Sequence, residues 1–516
     1  MSNLLAGAGL LAAAVSAAAA ILLPAGRGRS AAMLVALLLF PALIAGDQWH
    51  SAQIVDLRHN SARLLALAAA ALAITAILAA AFARWRLLLP LAIVAALPFR
   101  VPLHAGGDTA NLLVPLYLVI AAAVLSTALR DWRAGGPAAA PDAASTGGTA
   151  AAGGSRAAVW LPRALAAVVV LYALQALYSV DFSKSIQSIC FFFVPFSLVY
   201  ALLRDVRWTR KLLLLVLLLL ALEAVSFVLV GSVEYFSRHL FWNAQVIRSN
   251  EFHVYFRVNS IFWDPNIYGR YLALVIVVAM TVLLGVRERR AFALLTALVV
   301  ILWLGLAPTF SQSSFIALLA GLAVLAALRW SRRWALRAVV VVAVLAALVV
   351  VVAGGKVSLS RLNPDTSGRA NLVSGGIHLF SQRPIWGYGS ASFPLAYREH
   401  AATHRAPVSV SHTEPVTVAA EQGVLGLAAY AALVVTALWT MAAGLRPARD
   451  TRTIARAAVL ATFVALLVHT MAYAGFFEDP ITWVLLAMGA SLAVAPAAAA
   501  PHRLAEAVDS PAATPG

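Results

Sequence analysis

Apolar runs of membrane-crossing length, separated by short polar breaks, fill almost the whole chain. A hydrocarbon core about 30 Å thick takes roughly 20 apolar residues as a helix. Open strands leave backbone groups unsatisfied there, and these runs are too long and too unalternating for a barrel. Fifteen candidate spans follow: 4–23, 31–46, 64–83, 87–98, 110–129, 162–179, 185–203, 211–231, 267–285, 291–307, 313–328, 338–354, 422–443, 457–474 and 481–497. The pattern predicts an all-α fold, a polytopic transmembrane helical bundle of about 12–15 spans. The run at 87–98 is short and holds Pro90, so it predicts a re-entrant segment or half a hairpin. No basic residue precedes 4–23, which therefore reads as a retained helix rather than a signal peptide.

The polar breaks divide the chain into four parts. Residues 1–133 are N-terminal spans, 160–500 a main membrane domain, and 501–516 a disordered cytoplasmic tail. Between the two sets of spans, 134–159 is rich in Ala, Gly, Pro and Ser and reads as a flexible cytoplasmic linker. Two extended loops, 232–266 and 355–421, instead mix aromatic and polar residues as ordered segments do. In the second, Asp365, Thr366 and Ser367 offer N-caps for a short helix from about Arg369. Leu372, Val373, Ile377 and Phe380 would form its apolar face and Pro384 would end it.

Composition supports the membrane reading: 62% of the 516 residues are hydrophobic and 11% charged, where soluble domains hold about 25% charged residues. The formal charge of +17 does not imply nucleic acid, because the basic residues occupy short loops, where they encode topology. With alternate loops on opposite sides, one side carries 24 Lys and Arg and the other 14, ten of these in the two long loops together with Arg270 just after the first. Outside the long loops the ratio is 24 to 4, so the basic side is expected to be cytoplasmic and the long loops extracytoplasmic. The excess of Arg over Lys, 35 to 3, carries little mechanism. The single Cys190 cannot form an intrachain disulfide.

Candidate chemistry gathers in the long loops. The first ends in Arg257 and then Phe262-Trp263-Asp264-Pro265-Asn266, a turn that brings the chain back into the membrane. That segment also suits a plain interfacial anchor, with Trp263 and Tyr268 as belt aromatics. The second loop holds Arg369, Arg383, Arg398, His400, His404, Arg405, His412 and Glu414. His400 and His404 have the i,i+4 spacing of a zinc helix, but His-Glu-x-x-His is absent. The other reading is group transfer. Arginine binds phosphate bidentately at fixed charge, and a neutral imidazole can take a proton from an attacking hydroxyl. An Arg369 in the first turn of a helix also sits where free backbone N–H groups favour an anion. No Asp-x-Asp pair occurs, so a metal-held nucleotide-sugar donor is not expected and no metal or cofactor is assigned.

Three stretches, in order, resemble the O-antigen ligase and O-antigen polymerase superfamily with its Wzy-C type domain. They are Arg257 with Phe262–Asn266; Ser367-Gly368-Arg369 with Pro384-Ile385-Trp386-Gly387-Tyr388-Gly389; and Ser411-His412 with Ala420-Glu421 followed by Gly423 and Gly426. Leu177–Asp181 with Ser185 is similar to an earlier loop of that family. The resemblance covers about 160–495. It departs at Thr413, where the family usually has Asn, and at Ser311-Gln312-Ser313, where it usually has Ser-Arg-Gly.

The resemblance implies a membrane glycosyltransferase of the bacterial inner membrane, its site facing outward. The donor would be a glycan on polyprenyl pyrophosphate, and the acceptor either lipid A–core (a ligase) or a second lipid-linked glycan (a polymerase). Membrane lipids, and no nucleic acid, complete the expected partners. Arg257 and Arg369 would clamp the pyrophosphate, and His412 would deprotonate the acceptor hydroxyl. Asp264, Asn266 and Glu421 would support them, and aromatic residues within 241–263 would wall the lipid or the sugars. A reading of another class, a lipid-linked glycan transporter, expects ionisable groups at mid-bilayer. Only Glu223, with His469, meets that expectation.

Overall fold

The computed structural model describes residues 3–51, 59–105, 108–134, 149–243, 255–329, 369–400, 410–445 and 449–493, with 55, 246, 247 and 250 between them. Among these residues, twelve helices are long and apolar enough to cross a membrane. The chain is a multi-pass, all-α membrane protein; one short antiparallel hairpin, β1 (Val101–Ala105) with β2 (Asp108–Leu112), interrupts the helices. The expected span at 338–354 and the tail at 501–516 lie outside the described residues.

The N-terminal part consists of α1 (Asn3–Leu22), α2 (Arg27–Asp47), α3 (Ser61–Arg84), α4 (Leu88–Ala96) and α5 (Val114–Arg133). Nine residues make α4 about 14 Å long at roughly 1.5 Å per residue, half a bilayer. Extended chain and the hairpin follow it, as the shortness of the 87–98 run and its proline suggested. Helix α6 (Thr149–Ala176) begins inside the segment expected to be linker; residues 135–148 of that segment lie outside the described ones. Next come α7 (Phe182–Ser188), a π-turn at Ile189–Phe193 and α8 (Val194–Leu203), which together make one span.

The remaining elements are α9 (Arg210–Ser237), α10 (Pro265–Leu283), α11 (Arg289–Leu306), α12 (Gln312–Arg329), α13 (Arg369–Gln382), α14 (Phe393–His400), α15 (Glu414–Ala442), α16 (Thr451–Thr470) and α17 (Pro480–Ala493). Helix α10 is the hub, packed on α9, α11, α12 and α16, and most of its residues are buried. Gly269, Gly305 and Gly321 stand where a Cβ would meet Ser314, Val228 and Val277 within 3 Å, so these helices approach at glycine contacts.

Two polar faces form. On one, Arg29 pairs with Asp205, Ser30 donates to Asp131 (2.6 Å), Arg27 donates to the Trp132 carbonyl (3.0 Å) and Ser491 to that of Val206 (2.7 Å). On the other, Ser183 donates to Asp47 (2.9 Å), and the segments around 179–185, 257–266, 309–314, 384–391, 411–414 and 471–479 come together. The first is the basic face of the charge count, so the alternation of loops read from the sequence brings the correct segments together.

Helix α13 differs in rotation from its expected apolar face. Leu372 and Leu379 are buried, but Ile377 is 57% exposed. The inner face instead runs Leu372–Gly375–Gly376–Leu379. A Cβ on Gly375 would lie 2.2 Å from the Tyr397 ring, and one on Gly376 2.5 Å from Val416. Close approach to α14 and α15 at two glycines sets the face, and a count of large apolar residues cannot register it.

Candidate functional site

Arg257 leaves the first long loop as extended chain held by Asn250, whose amide donates to the Arg257 carbonyl (2.9 Å) and accepts from its N–H (3.0 Å). Its Nε donates to the Thr309 carbonyl (2.9 Å) and its Nη2 to Asn266 Oδ1 (3.3 Å). Asp264 is the N-cap of α10: its carboxylate accepts from the Asn266 N–H (2.6 Å), and Pro265 occupies the first turn. Asp264 therefore orients the helix start, and buried Asn266 orients the guanidinium.

From Asn266 a buried polar chain crosses three helices. Ser311 Oγ donates to the same Asn266 Oδ1 (2.9 Å) and lies 2.8 Å from Ser314 Oγ and 3.2 Å from Ser313 Oγ. Ser313 Oγ is 3.1 Å from His469 Nε2. The His469 ring is 5.8 Å from that of Tyr473, which is 6.1 Å from that of His412. Arg257 and His412, 155 positions apart in the chain, thus bound one continuous assembly on one face. Ser311-Gln312-Ser313, read above as a departure from the family pattern, supplies its middle.

The turn carrying His412 is fixed from below. Thr413 Oγ1 donates to the Met471 carbonyl (3.0 Å), and Ser411 Oγ lies 2.8 Å from Thr417 Oγ1. Glu414 Oε2 accepts from the N–H groups of Gly475 (2.7 Å) and Phe476 (3.1 Å), which ties this turn to the 471–479 loop. His412 itself takes φ +62°, a left-handed conformation that a β-carbon makes costly. All six non-glycine residues with positive φ among those described (Arg238, Asn243, Ser260, Phe310, Ala391 and His412) lie in loops of this face. Such strain collects where surrounding structure holds a functional geometry.

Arg369 is the first described residue of α13; the expected caps Asp365, Thr366 and Ser367 lie outside the described residues. Gly376 lies against Val416, and the Pro384 carbonyl accepts from the Val424 N–H (2.7 Å), so α13 descends beside α15. Its N-terminal end with Arg369 therefore lies toward the His412 end of α15. Glu421 is buried and accepts from the N–H groups of Ala391 (2.9 Å) and Phe393 (3.1 Å), capping the start of α14. These two bonds hold the 389–393 turn.

Sequence reasoning missed several residues of this face. Arg270 and Asp479 form a buried ion pair at 2.7 Å that fixes the loop before α17 to α10. Neither residue stood in a recognisable motif. Glu478 is exposed while its neighbours Phe477 and Asp479 are buried. Protein still crowds its carboxyl, and that burial raises its pKa while Arg100 and Lys184 pull it down. Burial likewise raises the Tyr473 phenol, with Asp264 adding to it and Arg270 and Arg100 opposing. Among the described residues no group of three His, Cys, Asp or Glu is placed to hold a metal. The His400 ring lies 5.1 Å from that of Tyr388, tilted against it, and its expected partner His404 lies outside the described residues. Glu223 and His469 do not form a mid-bilayer pair: Glu223 accepts from Tyr271 (2.7 Å) and His469 belongs to the serine chain.

Residues 297–431 match the family described as Wzy_C, O-antigen ligase. The match runs from α11 into α15 and includes Arg369, His412 and Glu421; Arg257, Asp264 and Asn266 precede it. No curated protein matches the chain.

Proposed function

We propose that this membrane chain, whose residues 297–431 match the O-antigen ligase family, transfers a glycan from a polyprenyl-pyrophosphate donor to an acceptor hydroxyl at the extracytoplasmic face of the inner membrane. The observation that carries the reading is the polar assembly joining Arg257 to His412 through Asn266, Ser311, Ser313, His469 and Tyr473. It supplies a fixed cation and an imidazole on one face, with the start of α13 at the same end. Arg257 and Arg369 bind the pyrophosphate and neutralise charge growing on the leaving group. His412 takes the proton of the acceptor hydroxyl as its oxygen attacks the anomeric carbon and the glycosyl–phosphate bond breaks. Arginines at permanent charge serve where a metal would otherwise do so. Asp264 and Asn266 set Arg257, Glu414 sets His412, and Glu421 sets the turn between α13 and α14.

The acceptor is lipid A–core, in keeping with the ligase description of the matched family; chain extension by a polymerase uses the same donor chemistry. Purified protein given a polyprenyl-pyrophosphate glycan with and without lipid A–core tests the reading. A product that requires lipid A–core supports ligation, and lengthening of the donor glycan without it shows polymerisation. Movement of intact donor across vesicles without covalent change would replace enzyme by transporter.

A further inference from the structure

Beside the α13–α14 turn lies a cleft of about 550 Å³ lined by Tyr178, Arg383, Pro384, Ile385, Trp386 and Gly387. Its frame is rigid backbone. Val424 N–H donates to the Pro384 carbonyl (2.7 Å), Gly389 N–H to that of Glu421 (2.8 Å) and Val180 N–H to that of Tyr388 (3.2 Å). Tyr178 OH donates to the Trp386 carbonyl (2.6 Å). Gly387 and Gly423, both at φ +65°, pass so close that a Cβ on either would meet the other strand's backbone within 2.4 Å. A cleft framed in this way is present before any ligand arrives.

Three properties identify the occupant. First, the cleft opens onto apolar surface. The first turns of α15, Glu414–Gln422, are about 12 Å long and end beside it, where Gly423 breaks the helix (φ +65°, ψ −162°). Leu174, Leu177, Val424 and Leu425 are exposed around it as a lipid-facing strip, which Ile385 (56% exposed) and Trp386 (58%) continue. Second, Arg383 is an exposed cation whose guanidinium sits 4.4 Å over the Tyr388 ring. It has no acidic partner among the described residues. A stacked guanidinium beside an aromatic wall suits a phosphate on a sugar. Third, α13 runs between Arg383 and Arg369, and its 14 residues span about 21 Å, rising toward the His412 end of α15.

The geometry points to this cleft as the docking site of the acceptor, a membrane-anchored phosphoglycolipid whose phosphorylated sugar meets Arg383 and Trp386 and whose glycan rises along α13 to Arg369 and His412. This rests on the transfer reading above and adds where its acceptor is held. A lipid whose phosphate and reacting hydroxyl lay on the same sugar could not reach both ends of α13.

The test is direct binding in phosphatidylcholine nanodiscs with no donor present, using bis-phosphorylated lipid A as the probe and native mass spectrometry to count what is retained. Both side chains changed are exposed, and the bonds framing the cleft are to backbone, so Arg383→Gln and Trp386→Ala should fold. Each should weaken lipid A retention about tenfold, the loss expected of one charge-assisted or aromatic anchor. Arg449→Gln, on the opposite face, should retain it as the unaltered protein does. Equal retention by Arg383→Gln, or equal displacement of lipid A by phosphatidylglycerol, would overturn the site; the latter would leave only interfacial anchoring. In the transfer assay, Arg383→Gln should raise the acceptor KM about tenfold at unchanged kcat. Specific lipid A binding by a protein that transfers nothing would keep the site and reject the transfer reading. Transfer with an unchanged acceptor KM in Arg383→Gln would do the reverse.

Discussion

Asn266→Leu isolates the contribution of the polar assembly to the candidate phosphate site. Asn266 Oδ1 accepts from Arg257 Nη2 at 3.3 Å and from Ser311 Oγ at 2.9 Å. Leucine keeps the volume and removes the acceptor. Ser311 retains Ser313 and Ser314 as partners, so its hydroxyl is not stranded. Arg257 retains its Nε bond to the Thr309 carbonyl, so the side chain stays in place while its fork loses the Asn266 bond. The remaining loss is one hydrogen bond to a charged group, worth about 1.5–3 kcal/mol. The length of the Nη2 bond favours the lower end, and about 1.5 kcal/mol is roughly tenfold in rate. The assay is the initial rate of glycan transfer by reconstituted protein against donor concentration, with a thermal melt beside it. The expected result is a tenfold fall in kcat/KM for donor with the melt little moved. Ser311→Ala should cost less, and the double variant no more than Asn266→Leu alone, because both act through one oxygen atom. A kcat/KM within twofold of the unaltered protein, or fully multiplicative losses, would show that Arg257 is not set by this network.

His412→Ala should lower transfer by about 10²–10⁴-fold, the usual contribution of a general base; a rate within threefold of normal in an inserted, folded protein removes it from that role. Arg369→Lys keeps charge and loses the bidentate fork, so turnover should fall about tenfold or more, and a normal rate would place Arg369 away from phosphate. Gly387→Ala should destabilise by at least about 2 kcal/mol, since the added carbon meets the Glu421 carbonyl oxygen at 2.3 Å in a left-handed backbone; an unchanged melt in detergent would contradict that packing. Burial holds the Glu478 carboxyl above its ordinary value of 4.5, so the folded protein keeps this proton to higher pH than the unfolded chain does. That stabilisation is complete below the ordinary value and is lost as pH rises through the folded one. Glu478→Gln should therefore flatten the fall in melting temperature over that window, and a variant that keeps the same slope would show that Glu478 does not cause it.

What the sequence determined by itself was set by solvent. A bilayer admits helices of a certain length and sorts arginines to one side, so the spans, the halved 87–98 run and the grouping of loops could be read directly from apolar runs and charges. Motif residues such as Arg257, Asp264, Asn266, Glu421 and His412 were legible because each sits at a helix start or a turn whose local chemistry is short-range. The tertiary structure alone decided which of them lie together. Ser311, Ser313 and His469 look like scattered polar residues at two apolar spans, and they form one hydrogen-bonded chain with Asn266 only because α10, α12 and α16 pack side by side. Arg270 and Asp479 find each other across 209 positions for the same reason. The inner face of α13 was likewise settled by two glycines that permit contact, since a one-dimensional pattern registers side chains that fill space and not those that make room for a neighbour.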